Sequence, residues 1–229
     1  SLWRGVDPTK DQTYFLAGMS QDALQKVIFP LGGMTKDEVR EHAKAQGLAT
    51  ASKRESQEIC FVPNDDYAAY LEDSAAASLS GPGPIISLDG LRLGQHKGLH
   101  RYTVGQRRGL GLAGPEARYV VGLDKESNAL MVGSKEDVRF EGLWAADERW
   151  LAEVPGRERA PIQARIRHRS SVVPAAVERD NEGRLQVWFD TPVMAVSAGQ
   201  QVAFYDGDQV LGAATIEGPL SATRGAQHA

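Results

Sequence analysis

The chain is 229 residues long, 41% apolar and 24% charged, with a formal net charge of −4. These are globular proportions that give one to three compact units, and they exclude a globally basic field, so any RNA contact must be a local patch. No apolar run approaches the ~20 residues of a membrane-spanning helix, and a single cysteine excludes an internal disulfide and a multi-cysteine zinc site.

Ser1-Leu2-Trp3-Arg4 lacks the basic-then-apolar pattern of a secretory leader. With the lone thiol, this points to a reducing, cytoplasmic setting. Trp3, Gly5 and Asp7-Pro8 read as a loop entering a helix, not as a domain start, which marks a fragment. Removal of a Met before Ser1 is the plainer alternative.

The organisation is α+β in three regions: 1–73, 74–138 and 139–229. The first reads as helical. Pro8-Thr9-Lys10-Asp11-Gln12 is a polar turn with capping residues, and Tyr14, Phe15, Leu16 and Met19 follow on a helical stripe. Ser20 caps a short helix carrying Leu24, Val27 and Ile28, which Pro30 ends. Thr35 and Glu38 have capping-box spacing, and Gly47 stops the helix after them. Asn64 or Asp65 caps another helix with Tyr67, Tyr70 and Leu71.

Residues 74–82 are small and turn-rich, and read as a linker. A small central β domain follows. Its first hairpin turns at Asp89-Gly90, and a second strand pair, Tyr119–Leu123 with Ala129–Gly133, turns around Glu126-Ser127-Asn128. From 139 on, short strands at close intervals read as an antiparallel β-barrel, with a frayed tail after Glu217. Ile162 to Arg169 alternates, placing Arg165, Arg167 and Arg169 on one strand face.

Four features carry potential chemistry. Cys60 lies in Lys53-Arg54-Glu55-Ser56-Gln57-Glu58-Ile59-Cys60-Phe61. A lone cysteine between apolar neighbours is ordinarily a small buried hydrophobe; Lys53 and Arg54 would favour a thiolate if they lay beside it. Three guanidiniums on one strand face repel one another unless an anion or acidic partner faces them, and a phosphate backbone suits. Arg107 and Arg108, on the glycine-flanked loop Gly105 to Gly109, offer a further phosphate contact against the alternative of a solvated charge pair. Gly109 to Gly114 matches G-x-G-x-x-G, but Pro115 and a strand follow where the dinucleotide motif needs a helix, so it is a decoy. The histidines are scattered and give no metal site.

Together these blocks resemble one family. Asp7-Pro8-Thr9-Lys10-Asp11-Gln12-Thr13-Tyr14-Phe15-Leu16 is similar to the D-x-x-K-D-Q-S/T-Y-F-L block of the tRNA-specific 2-thiouridylases. Phe29-Pro30-Leu31-Gly32 resembles their F-P-L/V-G, and Ser56 to Phe61 their S-x-x-I-C-F. Thr103 to Gly111 resembles T-L/V-G-Q-R-K/R-G-L-G, and the order holds through Pro192-Val193 and Gly199-Gln200.

The resemblance implies an enzyme that installs sulfur at C2 of the wobble uridine of tRNA. It implies that 1–73 is the helical tail of an α/β adenine-nucleotide-hydrolase-like catalytic domain, before the central β domain and the barrel. The family's S-G-G-x-D-S loop, which binds Mg-ATP, and its first catalytic cysteine are not in this sequence. No cofactor is therefore expected on this chain, which alone is expected to be inactive. Cys60 matches the family's persulfide-carrying cysteine, a nucleophile whose sulfur is released by disulfide exchange with the first. The family's tRNA contacts fall on Lys10, Asp11, Gln12, Arg167, His168 and Gln200; His168 departs from the Tyr of some members. Arg107, Arg108, Arg165 and Arg169 are further candidate phosphate contacts. Implied partners are tRNA and a sulfur-donor protein, a cysteine desulfurase or sulfur relay protein, with the chain a monomer and no membrane involved. The alternative is an RNA-binding β module without chemistry.

Overall fold

The structure, a computed structural model, describes residues 1–53, 62, 66–75, 79–153 and 159–220. In chain order its elements are β1 (Leu2–Trp3), α1 (Thr13–Leu16), α2 (Gln21–Leu24), α3 (Lys36–Ala45), α4 (Tyr67–Ala75), β2 (Gly83–Ser87), β3 (Arg92–His96), β4 (Tyr119–Asp124) and β5 (Ala129–Gly133). Then come β6 (Arg139–Trp150), β7 (Ala160–Arg165), β8 (Val173–Arg179), β9 (Leu185–Met194), β10 (Gln201–Asp206) and β11 (Gln209–Leu220). The protein is α+β. It divides into two compact units, Ser1–Lys53 with Phe140–Ala229, and Arg54–Arg139.

The first unit holds a closed antiparallel barrel of six strands, in the order β11-β10-β7-β8-β9-β6, with β6 returning to pair β11. Closure leaves no free sheet edge. Inward side chains fill the interior, among them Leu143, Ile162, Ala164, Val177, Val187, Val202, Phe204 and Ile216. Trp150 stacks on Phe204 there, with ring centroids 4.9 Å apart.

The run Val202-Ala203-Phe204-Tyr205 is buried at every position. Successive strand residues point to opposite faces, so such a run needs cover on both. Val202 and Phe204 face the barrel core. Ala203 and Tyr205 join Leu2, Tyr14, Ala17, Val210 and Ala213 in a second apolar cluster. The N-terminal segment is thus the outer layer of the barrel wall: β1 pairs with β11, Leu2 opposite Val210, and α1 lies over β10. Gly212, at φ +151°, makes the double pairing of β11 possible, because a Cβ there would stand 2.2 Å from the Arg149 carbonyl oxygen.

The strand expected over 162–169 is shorter. β7 ends at Arg165, and the chain then turns, with the Ser170 amide donating to the Arg167 carbonyl. Arg167 and Arg169 therefore do not share a strand face with Arg165. The tail after Glu217 is not frayed as far as Leu220, which pairs with Gly142. The α2 helix ends at Leu24, leaving Val27 and Ile28 beyond it and exposed.

The capping box at α3 forms as its spacing predicts. Thr35 accepts from the Glu38 amide, and Glu38 accepts from the Thr35 amide at 2.7 Å. No residue of α3 is buried, so its ends carry much of its stability. Thr35→Ala is expected to weaken the helix locally by about 0.5–2 kcal/mol. Faster amide hydrogen exchange across Lys36–Ala45, with little change in global Tm, is the result to look for.

The second unit contains a four-stranded sheet in the order β3-β2-β5-β4. Gly90, at φ +85°, makes the tight turn between β2 and β3 that Asp89-Gly90 predicts. β2 and β5 run parallel, a non-local pairing with no signature in the sequence. Ile85, Leu99, Leu110, Val120, Leu130 and Val132 form its core. The α4 helix is capped by Asp66, whose carboxylate accepts from the Ala69 amide at 2.9 Å. The cap is thus Asp66 rather than Asn64 or Asp65, which lie outside the described residues.

Candidate nucleic-acid interface

The site in the first unit is built where α1, the turn after β7 and the start of β10 meet. Asp11 is its hub. Its side chain is 1% exposed and takes Arg4 at 3.3 Å and Arg165 at 3.4 Å. Its other oxygen accepts from the Thr13 amide and hydroxyl, at 3.0 and 2.7 Å, which starts α1. Two cations and two donors satisfy the buried carboxylate, the condition for burying a charge at tolerable cost.

Arg165 passes that anchoring on. Its guanidinium also donates to the carbonyls of Arg167 and His168, fixing the turn that leaves β7. Arg167 is half-buried and donates to the Ala195 carbonyl at 2.7 Å and to Ser197 Oγ at 3.1 Å. Burial lowers its pKa, although a guanidinium stays charged. Arg165 and Arg167 thus hold the backbone in shape, while Arg169, in the same turn, is exposed.

Tyr14 ties the helix to the barrel. Its hydroxyl donates to the Gln201 carbonyl at 2.8 Å, and the Gln201 side chain returns a bond to the Tyr14 carbonyl. Burial raises the phenol pKa of both Tyr14 and Tyr205. The His168 ring lies 4.6 Å from that of Phe15 and 6.2 Å from that of Tyr14. His168 Nδ1 is buried and finds no hydrogen-bond partner among the described residues.

The structure thus brings Lys10, Asp11, Gln12, Arg165, Arg167, His168 and Arg169 to one region, with Gln200 beside Gln201 at the start of β10. Lys10, Gln12 and Arg169 are exposed, His168 and Gln200 partly so, and Asp11 is buried. Arg107 and Arg108 belong to the second unit and are exposed. Their loop is braced by Gln106, which accepts from the Thr103 amide and donates to the Arg108 carbonyl. It borders a cleft of about 480 Å³ lined by Arg107, Arg118 and the run Gly109 to Gly114. Strand β4 follows that run and no helix does, so the glycine fingerprint lacks its phosphate-binding helix end. Cys60 lies outside the described residues. Arg4, Phe15 and Gln201 are the site members missed in the sequence; Phe15 read only as part of a helical stripe.

Three family models match in succession: a tRNA methyl transferase HUP domain over residues 1–64, a tRNA methyl transferase PRC-barrel domain over 69–134, and an aminomethyltransferase β-barrel domain over 140–216. Among curated relatives, the tRNA-specific 2-thiouridylase MnmA of Chloroflexus aggregans is 46% identical over 95% of this chain. That of Geobacter metallireducens is 47% identical over 96%, and that of Chlorobaculum tepidum 45% over 94%. The chain belongs to the tRNA-specific 2-thiouridylase family. It spans about 60% of the length of these thiouridylases.

No S-G-G-x-D-S loop occurs in the 229 residues. No group of three or more His, Cys, Asp or Glu among the described residues could hold a metal ion. No helix among them is long and apolar enough to cross a membrane.

Proposed function

We propose that this chain supplies the tRNA-binding surface and the sulfur-carrying cysteine of an ATP-dependent tRNA-uridine 2-sulfurtransferase. In this reading the C2 oxygen of the wobble uridine is activated elsewhere than on these residues. A persulfide on Cys60, loaded by a sulfur-donor protein, attacks C2 through its terminal sulfur. The C–S bond forms and the activated oxygen leaves. A second cysteine thiolate then attacks the Cys60 sulfur, breaking the S–S bond; a disulfide remains on the protein and the sulfur stays on the base. Residues 1–73, 74–138 and 139–229 act as catalytic-domain tail, central domain and barrel of a cytoplasmic monomer.

The observation that supports this reading best is the convergence of exposed Lys10, Gln12 and Arg169 with His168 around a turn braced from below by Asp11 and Arg165. Backbone-positioning contacts of this kind combine cations and amides on a rigid element. The chain is expected to bind tRNA with an affinity that falls as salt rises. Lys10→Ala should weaken binding and lower the salt-dependence slope by about 0.7–0.9, read by fluorescence anisotropy across a salt series. Salt-independent binding, or none at low salt, refutes the reading.

A further inference from the structure

Phe15 is a large aromatic side chain that its own fold leaves exposed. Tyr14 beside it is buried and Leu16 partly so, but Phe15 remains 60% exposed. Adjacent helix residues point about 100° apart, and α1 is four residues long, so burying Tyr14 turns Phe15 outward. The ring is nonetheless held. The His168 ring lies against it at 4.6 Å and 32°, and Tyr14 meets it edge-on at 5.4 Å and 79°. Tyr14 is fixed in turn by the Gln201 carbonyl. The result is an exposed aromatic surface in a set orientation.

Its charged surroundings name the occupant. Within five residues of Phe15 in sequence, the exposed charge is Lys10; within two of His168, it is Arg169. Of the two carboxylates on the same segment, Asp11 is buried between Arg4 and Arg165, and Asp7, within electrostatic reach of Lys10, is held by the Thr9 hydroxyl and the Lys36 amide. An exposed aromatic surface whose chain neighbours include exposed Lys10 and Arg169 matches a nucleobase whose neighbouring phosphates meet the cations.

We propose that Phe15 is a stacking platform for one unpaired nucleobase of the bound RNA, with His168 continuing the stack beneath it. This deepens the tRNA-binding reading and rests on it. Paired bases inside a duplex keep their faces stacked on one another, so the platform selects a base from a loop, bulge or single-stranded end. A π-face is common to all four bases, so Phe15 selects unpaired structure without reading sequence.

The test compares binding of a tRNA and of a fully paired RNA duplex to the wild-type chain, Phe15→Ala, Phe15→Leu and Phe15→Trp. Phe15→Ala should weaken tRNA binding by about 5- to 150-fold and leave duplex binding and the salt slope unchanged. Phe15→Leu keeps apolar bulk without a π-face, and should lose the same affinity with the wild-type Tm. Phe15→Trp should restore it. tRNA affinity within twofold of wild type in Phe15→Leu overturns the platform and leaves the tRNA reading standing, as does an equal loss on the duplex. Failure of the wild-type chain to bind tRNA at all overturns both.

Discussion

Asp11→Ala is expected to destabilise the barrel unit by about 3–5 kcal/mol, the cost of removing one partner from a buried ion pair. For a chain of this size that corresponds to a fall in Tm of about 6–20 °C. The reason lies in what is left behind. Arg165, with 13% of its side chain exposed, loses its counterion while still inside the protein. Arg4, at 25%, loses the same partner, and its remaining ion pair, with Asp208, is long at 3.8 Å. The Thr13 amide loses the acceptor that starts α1. Asp11→Asn keeps an acceptor for Thr13 but removes the charge, so its cost should fall between wild type and alanine. Replacing Arg165 by Met in the Asp11→Ala background should recover part of the loss, because the uncompensated charge goes with it. Urea unfolding followed by circular dichroism measures all three. A loss below about 1 kcal/mol for Asp11→Ala would mean that the carboxylate is solvated and the hub does not exist. The hub also bears on how Asp11 serves RNA binding. With its carboxylate inside, it acts by holding Arg165 and the 167–170 turn, so affinity for tRNA should fall in step with folding.

How legible the fold was depended on how local its signals are. The capping box at Thr35 and Glu38 and the Asp89-Gly90 turn are written in three or four consecutive residues, and both form. The antiparallel barrel followed from alternation and turn spacing. The cover on its outer face did not. Nothing in Leu2-Trp3 marks it as a strand, because its partner, Val210, stands some 200 residues away. Yet the run Val202 to Tyr205, apolar at every position, already required a second layer. The arginine stripe failed for a related reason. Alternation from Ile162 to Arg169 predicts one continuous strand, but Arg165 folds back onto the carbonyls of Arg167 and His168 and ends it. A side chain that bonds its own backbone three residues on leaves no trace in a periodicity. At the site, residue types were legible and roles were not. Asp11 and Arg165 look like surface groups in the sequence and are buried partners; Phe15 shares a helical stripe with Tyr14 in the sequence, yet Tyr14 is buried and Phe15 exposed. Helical stripes assume a helix long enough to have a buried face, and α1 has a single turn.

If the proposed function holds, then in a full-length enzyme able to activate the uridine Cys60→Ser is expected to reduce 2-thiouridine formation by about 10⁴-fold or more, the scale on which loss of a covalent nucleophile falls. Serine nearly matches cysteine in size, so packing changes little. Its oxygen cannot carry a transferable sulfur, because thiol–disulfide exchange requires sulfur as attacking, central and leaving atom. A hydroxyl is also essentially un-ionised at neutral pH, where a persulfide is largely anionic. Affinity for tRNA should stay at the wild-type value, since Lys10, Gln12, His168 and Arg169 are untouched. That separation of turnover from binding distinguishes a sulfur carrier from an RNA-binding module, for which thiolation would proceed unchanged. Mass spectrometry of the wild-type enzyme trapped during turnover should find the Cys60 peptide heavier by one sulfur atom, an addition that a reducing agent removes. Thiolation at the wild-type rate in Cys60→Ser, or a Cys60 peptide that never gains sulfur while product accumulates, would place the carrier on another residue and leave this chain the tRNA-binding role alone.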